Sequence, residues 1–477
     1  MIRALWRDGV VYGASTVIAR GTALLLVPLV THLLSPADYG ALDLIVTVGV
    51  LINLVVPLEI SQALARFWNE RAEGVDRRRL ADTAWTFTVA SHAVFAATCA
   101  LCAVPIAQAL LGDARYASAV RAGGCAIALN GAFYLLQNRF RWELRPRAYF
   151  VVSTTYASAN LVLVAAFGWG LGGGLEGVLW AQTAAAALAV ALSLTQLRGG
   201  VAARFAHADL VAMLRFSMPL VVAGVALFAS FYANRFMLNA LGTLQDVGVF
   251  GIASRLASVV TVLLAGIQGA LTPLIYAHYQ EPETPARLAR LFEGFSAVAL
   301  ATCLALGLFG SDLVALLAPP DYVAAAPLLG WLAVAALLPQ MYIFAPGVAI
   351  RKKTHWQLAI ALCSAVTSIG LNALLIPPYG VWGATLATLA AAMVFFGAWI
   401  VASQRLYRLP LRHGPLVVAL GLFVLLGLTV PQLDAVVSSG VMHIAVKAGV
   451  LLAFVVALGA IGLLRPRDWQ RGLATAG

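Results

Sequence analysis

Three ionisable side chains lie inside long apolar stretches near the start of the chain, where a charge is unfavourable. Arg20 lies about ten residues into the apolar run 10–34, and Asp43 and Glu59 lie in the next run, 41–65. A guanidinium binds phosphate-like anions through paired hydrogen bonds, whereas a carboxylate binds a proton or a cation or pairs with arginine. These residues therefore predict a site for a charged or polar solute.

Two further arginines interrupt apolar runs later in the chain. Arg255 lies about eight residues from the nearer end of its run, roughly 12 Å deep at ~1.5 Å per residue, and Arg235 lies closer to the end of another run. Arg20, Arg255 and Arg235 are the predicted anion-binding residues. Two of them also have a structural interpretation: Arg20 pairs with a nearby acid or with helix carbonyls, and Arg235 extends to the membrane interface.

The two acids leave alternatives open in the same way. Asp43 is either a helix cap, a partner for an arginine or a proton site. Glu59 either binds a coupling cation or pairs with Arg66 or Arg20. Both are predicted as ion-coupling residues or charge partners, because charges at membrane depth usually face a bundle interior or a wet cavity.

Signatures of catalysis are missing from the sequence. There is no GxxxxGK[ST] phosphate loop, no GxSxG nucleophile elbow, and no metal-ligand spacing among the seven histidines. We therefore predict no catalytic residue, no metal site and no cofactor, and we do not expect an enzyme.

The elements that must position these charges are membrane-spanning helices. Of the 477 residues 62% are hydrophobic and 11% charged, and the mean hydropathy is +0.90, whereas a soluble domain has about 25% charged residues. The fold class is therefore an all-α polytopic membrane protein, because a spanning helix needs about 20 apolar residues. Fourteen spans are predicted, at 10–34, 41–65, 81–111, 118–137, 148–170, 176–196, 213–238, 247–276, 292–318, 323–349, 357–376, 381–403, 415–431 and 440–464.

The basic residues predict the orientation of these spans. With the N-terminus in the cytoplasm, 25 of the 31 arginines and lysines fall in cytoplasmic segments, as the positive-inside rule requires. Both termini are then cytoplasmic. The net charge of +11 reflects these short clusters, so we do not expect nucleic acid as a partner.

Weak sequence matches recur at nearly constant offsets. Asp38-Tyr39-Gly40 corresponds to Asp246-Val247-Gly248, and Arg145-Pro146-Arg147 to Arg351-Lys352-Lys353. A repeat of six spans predicts two lobes of parallel topology with a cavity between them. The predicted domains are an N-terminal lobe at 1–204, a C-terminal lobe at 205–408, and two additional spans with a cytoplasmic tail at 409–477.

Several motifs resemble the oligosaccharide and polysaccharide flippases of the multidrug/oligosaccharidyl-lipid/polysaccharide exporter superfamily. The motifs are Leu34–Gly40 with Ala41-Leu42-Asp43, Arg235-Phe236-Met237-Leu238, Val247–Arg255, Leu316–Tyr322, and Asn372–Ala384 with Ala387-Thr388. One departure is Asn234, where family members often have an acid before the arginine.

The resemblance implies fourteen helices in a V-shaped pair of lobes. It implies movement of undecaprenyl-pyrophosphate-linked repeat units of an O-antigen, lipopolysaccharide or exopolysaccharide across the bacterial inner membrane. Arg20 and Arg255 then become the best candidates for holding the pyrophosphate. The last two spans become candidates for a lipid-tail groove. Membrane lipid, a polysaccharide polymerase and assembly proteins are the implied partners.

Three alternatives stay open at this point. A lipid II flippase would use the same mechanism on another head group. A multidrug/cation antiporter would need buried acids in the N-terminal lobe, for which Asp43 and Glu59 are candidates, although Arg20 beside them disfavours a cationic substrate. A scaffold for a polysaccharide assembly complex would transport nothing.

Overall fold

The computed structural model describes residues 15, 18, 21–68, 70, 75–197, 200–202, 204–351, 353–436 and 440–464. These residues form helices joined by turns, and they contain no β-strand. Within them, twelve helical segments are long and apolar enough to cross a membrane. The predicted class, an all-α multi-pass membrane protein, is therefore confirmed.

The described residues divide into two compact units, with the boundary between Gly248 and Val249. The helices of the first unit are α1 (Gly21–Leu33), α2 (Pro36–Val55), α3 (Ile60–Trp68), α4 (Val75–Leu101), α5 (Ala103–Leu111), α6 (Ala117–Trp142), α7 (Pro146–Val164), α8 (Gly174–Gln196), α9 (His207–Leu241) and the start of α10 (Leu244–Ala257). Those of the second unit are α11 (Val262–His278), α12 (Thr284–Leu308), α13 (Gly310–Leu317), α14 (Leu329–Leu337), α15 (Gly347–Ile350), α16 (Thr354–Leu406), α17 (His413–Val436) and α18 (Val441–Ala460).

The twelve long apolar helices differ from the fourteen predicted spans at two places. Helix α16 is long enough for two spans, and it is interrupted at Gly380, where φ is +53°, within the predicted loop 377–380. The first predicted span is described from Gly21 onward, as α1. Because its beginning lies outside the described residues, the count of fourteen stays a prediction.

Two predicted spans are each broken into two helices. The second span breaks after α2, where Leu58 and Glu59 have φ of +51° and +52°, a region that costs a non-glycine residue roughly 1–2 kcal/mol. The third span breaks at Cys102. Pro105 lies three residues later and explains that break, because its ring would clash with the carbonyl of Leu101 in a continuous helix.

The repeated motifs at residues 38 and 246 start two helices in the same way. At the start of α2, the Ser35 hydroxyl accepts a hydrogen bond from the Asp38 amide (3.2 Å) and donates one to its carboxylate (2.8 Å). Before α10, the Thr243 hydroxyl makes the same two bonds with Asp246, at 3.1 and 2.7 Å. Such reciprocal caps satisfy amide groups that have no partner within the helix.

The glycines of the same two motifs contact each other's helices. A Cβ added to Gly40 would lie 1.9 Å from the Leu244 carbonyl oxygen, and one added to Gly248 would lie 1.9 Å from the Pro36 carbonyl oxygen. Each oxygen belongs to the residue four positions before the opposing glycine, so the contact is reciprocal. We call this contact the glycine crossing. Only a residue without a side chain fits there.

In the second unit, Arg412 in the linker 407–412 forms hydrogen bonds to α12 and to the residue Gly462 just after α18. The Arg412 amide and guanidinium donate to both carboxylate oxygens of Glu293 in α12, at 2.9 Å and 2.8 Å for the amide and Nε. Its Nη2 also donates to the Gly462 carbonyl just after α18, at 3.0 Å. Glu293 is only 3% exposed, so this buried carboxylate requires its partner.

The unit boundary differs in position from the repeat-based boundary at 204/205. Helix α9, the seventh predicted span, packs against α2, α3 and α4 of the first unit. Packing and internal sequence symmetry are separate properties, so the lobes at 1–204 and 205–408 and the additional segment 409–477 stay predictions.

Candidate functional site

The structure brings together two of the predicted charges, Asp43 and Arg235. Asp43 lies in α2, three residues after the glycine crossing, and Arg235 lies in the last third of α9. The Arg235 Nε donates to Asp43 Oδ2 at 2.8 Å, and the side chains of Arg235 and Asp43 are 12% and 9% exposed. Arg235 is therefore largely buried against α2.

Neighbours on α9 hold the guanidinium in place. Its Nη1 donates to the Asn234 side-chain oxygen at 3.2 Å, and its central carbon lies 5.4 Å from the ring centre of Tyr232. Asn234 is 1% exposed. Asn234 is a neutral amide, so it adds no charge beside Arg235. An acid at position 234 would have added a negative charge next to Asp43.

This geometry permits exchange of partners. In a low dielectric environment the carboxylate and the guanidinium stabilise each other, and removing either leaves an unfavourable buried charge. An anion that approaches Arg235 competes with Asp43 for the same fork of donors. A proton or cation that binds Asp43 would release Arg235 in the same way. The pair can thus link anion binding to cation binding.

The other predicted residues are not part of this pair in the described structure. Glu59 is half-buried at the break between α2 and α3, where its carbonyl accepts bonds from the amides of Gln62 and Ala63 at the start of α3. Arg255 is half-buried in α10. Arg20 lies outside the described residues. The substrate-binding and ion-coupling roles of these residues stay predictions.

A further ion pair, with a buried lysine, lies in the second unit. The Lys447 ammonium of α18 is 1% exposed and donates to Ser311 Oγ at 2.9 Å and to Asp312 Oδ2 at 2.7 Å on α13. His443, one turn before Lys447, has Nδ1 3.7 Å from Asp312 Oδ1. The Asp312 side chain is 38% exposed, so the lysine is the member of the pair that most requires its partner.

An apolar groove runs along α12 and α18. Its lining includes Ala297, Ala301 and Thr302 of α12 and Leu451 and Val455 of α18, and its volume is about 320 Å³. This volume is close to the lower end of the usual range for ligand pockets, about 300 Å³. The groove lies beside the fourteenth predicted span, and the role of the last two spans in holding a lipid tail stays a prediction.

Solved structures share this fold at low sequence identity. The lipid II flippase MurJ in an inward closed conformation has a TM-score of 0.67 and 10% identity, covering 95% of this chain and 98% of its own. An inward-facing multidrug resistance transporter of the MATE family has a TM-score of 0.62 and 18% identity, and the match covers 81% of this chain and 94% of that transporter. A MOP superfamily transporter from Pyrococcus furiosus has a TM-score of 0.54 and 15% identity, and the match covers 84% of this chain and 96% of that transporter.

The family comparison is more specific than the fold. No curated protein sequence matches the chain significantly. The family model described as polysaccharide biosynthesis protein matches residues 5–277, which is more than half of the chain. It includes α2, α9 and the Asp43–Arg235 pair. The family resemblance seen in the sequence is thereby confirmed, and the chain belongs to the polysaccharide biosynthesis protein family.

Proposed function

We propose that this protein flips undecaprenyl-pyrophosphate-linked oligosaccharide repeat units from the cytoplasmic to the outer leaflet of the bacterial inner membrane. The family match over residues 5–277 carries the proposal, since polysaccharide biosynthesis in a multi-pass membrane protein requires a lipid-soluble carrier to cross. Both termini are cytoplasmic in this proposal. Repeat units of an O-antigen or exopolysaccharide then reach a polymerase and assembly proteins outside.

The intramembrane charges support an anionic substrate. Arg20, Arg235 and Arg255 provide guanidinium groups at membrane depth, and a guanidinium stays charged when it loses water. In this mechanism the pyrophosphate competes with Asp43 for Arg235, and Asp43 then takes up a proton or a cation. Exchange at this pair couples substrate movement to an ion gradient or to the membrane potential. The lipid tail occupies the groove between α12 and α18.

The test is flipping by the purified protein in liposomes. The substrate is a labelled undecaprenyl-pyrophosphate oligosaccharide, and flipping is scored by its accessibility to an enzyme added outside. Protein-dependent movement that an imposed gradient accelerates is the expected result. No movement of this substrate would refute the proposal, and movement of lipid II or of a fluorescent organic cation instead would identify the lipid II flippase or the antiporter.

Arg255→Ala is expected to reduce flipping about tenfold or more, because loss of one charge-assisted contact costs about 1.5–3 kcal/mol. Arg255→Lys keeps the charge but loses the fork, so an intermediate rate is expected. Arg287→Ala is the matched control, since Arg287 is an exposed arginine of the second unit that pairs with Glu283 one turn away. Wild-type flipping by Arg255→Ala would remove Arg255 from the substrate site.

A further inference from the structure

A buried histidine in the middle of the first unit has no role in the mechanism above. His92 lies in α4 and is 1% exposed. Its Nδ1 lies 2.9 Å from the Thr88 carbonyl oxygen, and its Nε2 lies 3.2 Å from the side-chain oxygen of Asn53 in α2. We propose that His92, with Asn53 as its hydrogen-bond partner, is a proton-binding site that couples transport to a proton gradient. This inference rests on the proposed function.

The hydrogen bonds define what each ring nitrogen does. A carbonyl oxygen only accepts, so Nδ1 of His92 carries a proton in its bond to Thr88. The neutral ring then has only a lone pair at Nε2, which requires the amide nitrogen of Asn53 as a donor. The protonated ring has a second N–H, which requires the amide oxygen that faces it in this structure.

Asn53 is suited to both protonation states. A carboxamide presents a donor and an acceptor of nearly the same shape, so a half-turn of its end group satisfies either form of the ring. An unsatisfied buried polar group would otherwise oppose one of the two states. Asn53 is half-exposed whereas His92 is buried. The amide is therefore the more accessible member of the pair.

The space that His92 and Asn53 occupy is available because residue 131 of α6 is a glycine. A Cβ on Gly131 of α6 would lie 2.1 Å from His92 Nε2 and 2.7 Å from Asn53 Oδ1. A second polar group is buried one turn before His92: the Thr88 hydroxyl has no hydrogen-bond partner among the described residues, and Thr88 is 2% exposed. An ordinary apolar helix contact would not need this concentration of polar groups.

Charged neighbours do not fix the protonation state of His92. The ionisable groups on the helices packed around it are Asp38, Tyr39, Asp43 and Glu59 on or just after α2, Arg66 on α3, Asp76, Arg77, Arg78, Arg79, Asp82, Cys99 and Cys102 on or just after α4, Arg121, Cys125, Tyr134, Arg139 and Arg141 on α6, and His207, Asp209, Arg215, Tyr232 and Arg235 on α9. On α2, α4 and α6, all but the exposed Tyr134 are six or more residues, about 9 Å, along the helix from His92 or from the residue that contacts it. None has a hydrogen bond to His92 in the described part of the chain.

A histidine with such a partner is a suitable proton carrier. Imidazole is the side chain whose unperturbed pKa lies nearest to neutral pH, so it can gain and lose a proton under physiological conditions. Gain of a proton turns the amide of Asn53 and adds a charge between α2 and α4. Since α2 also carries Asp43, protonation of His92 acts on the helix that holds the acid of the Arg235 pair.

Direct titration tests the site without any substrate. The full-length protein is labelled with ¹⁵N-histidine in nanodiscs, and the His92 signal is assigned by its loss in His92→Gln. We expect that signal to change from the neutral to the protonated ring as the pH is lowered over the range in which the protein stays folded. In Asn53→Asp the midpoint should rise by about one pH unit or more, because an adjacent carboxylate favours the charged ring. A His92 signal that stays neutral throughout, or a midpoint that Asn53→Asp leaves unchanged, would overturn the inference.

Transport then tests the coupling. His92→Gln should retain flipping without a gradient and lose the acceleration by a proton gradient, whereas His32→Gln should behave as wild type. His32 is the matched control, because it makes the same bond to a carbonyl four residues earlier (2.8 Å) but is exposed. Undiminished gradient acceleration in His92→Gln refutes the coupling role. If the wild-type protein moves no lipid-linked oligosaccharide, the proposed function fails, and the titration still decides whether His92 binds a proton.

Discussion

Replacing Arg235 with leucine is expected to destabilise the protein by about 3–5 kcal/mol and to abolish flipping, because Asp43 would be left as an unpaired buried carboxylate. Asp43 is 8% exposed and its carboxylate lies 2.8 Å from the guanidinium. The loss would be measured as a fall in the unfolding temperature of the detergent-purified protein, alongside flipping in liposomes.

The double substitution Asp43→Asn with Arg235→Gln separates stability from function. Two neutral amides can hydrogen-bond in place of the ion pair, so most of the stability should return. Flipping should stay absent, because neither the anion-binding fork nor the titratable acid remains. Arg66→Ala is the control, since Arg66 and Glu70 form an exposed pair that contributes at most about 1 kcal/mol. Restored flipping in the double variant would limit the pair to a structural role.

The second large effect is expected at the glycine crossing. Gly40→Ala and Gly248→Ala should each lower stability by about 1–3 kcal/mol, the usual range for overpacking. Each new methyl group would lie 1.9 Å from a backbone oxygen that cannot rotate away, so the starts of α2 and α10 must separate. The measurement is the unfolding temperature of each variant, with flipping as a second readout.

The double variant gives a sharper test of the same contact. Once one alanine has separated the helices, the second methyl group meets less resistance, so the cost of Gly40→Ala with Gly248→Ala should be clearly less than the sum. Gly21→Ala is the control, because a Cβ there has no other atom within 4 Å and alanine favours helix. Additive costs, or a stable Gly40→Ala variant, would show that the two helix starts are not in the predicted contact.

The sequence predicts the helices of this protein better than it predicts their contacts. Apolar runs of spanning length identified the membrane class, and Pro377, Pro378 and Gly380 marked the interruption of α16, because these signals are local. The interruption at Leu58 and Glu59 was not predicted. Neither residue favours a positive φ, so the surrounding packing imposes that conformation.

The candidate site shows the same limit. Arg235 and Asp43 were both recognised as unusual charges, but they are 192 positions apart, and several other partners were equally plausible from composition. His92 was overlooked because the seven histidines have no common spacing. Its importance depends on Asn53 and Gly131, whose positions beside it are set by the packing of α2 and α6 on α4. The repeated Asp-x-Gly motifs were interpreted only as an internal repeat, and the contact between their glycines became visible in the structure.

Two ion pairs of the second unit connect the segment from Arg412 onward to α12 and α13. Glu293 in α12 and Asp312 in α13 bind Arg412 and Lys447, which lie in the linker before α17 and in α18. A shortened gene that ends before residue 412 would leave Glu293 buried without its counter-charge, at a cost of about 3–5 kcal/mol. A shorter ancestor or a viable deletion must therefore carry a compensating change at Glu293, so the segment from Arg412 onward and this acid on α12 are expected to have evolved together.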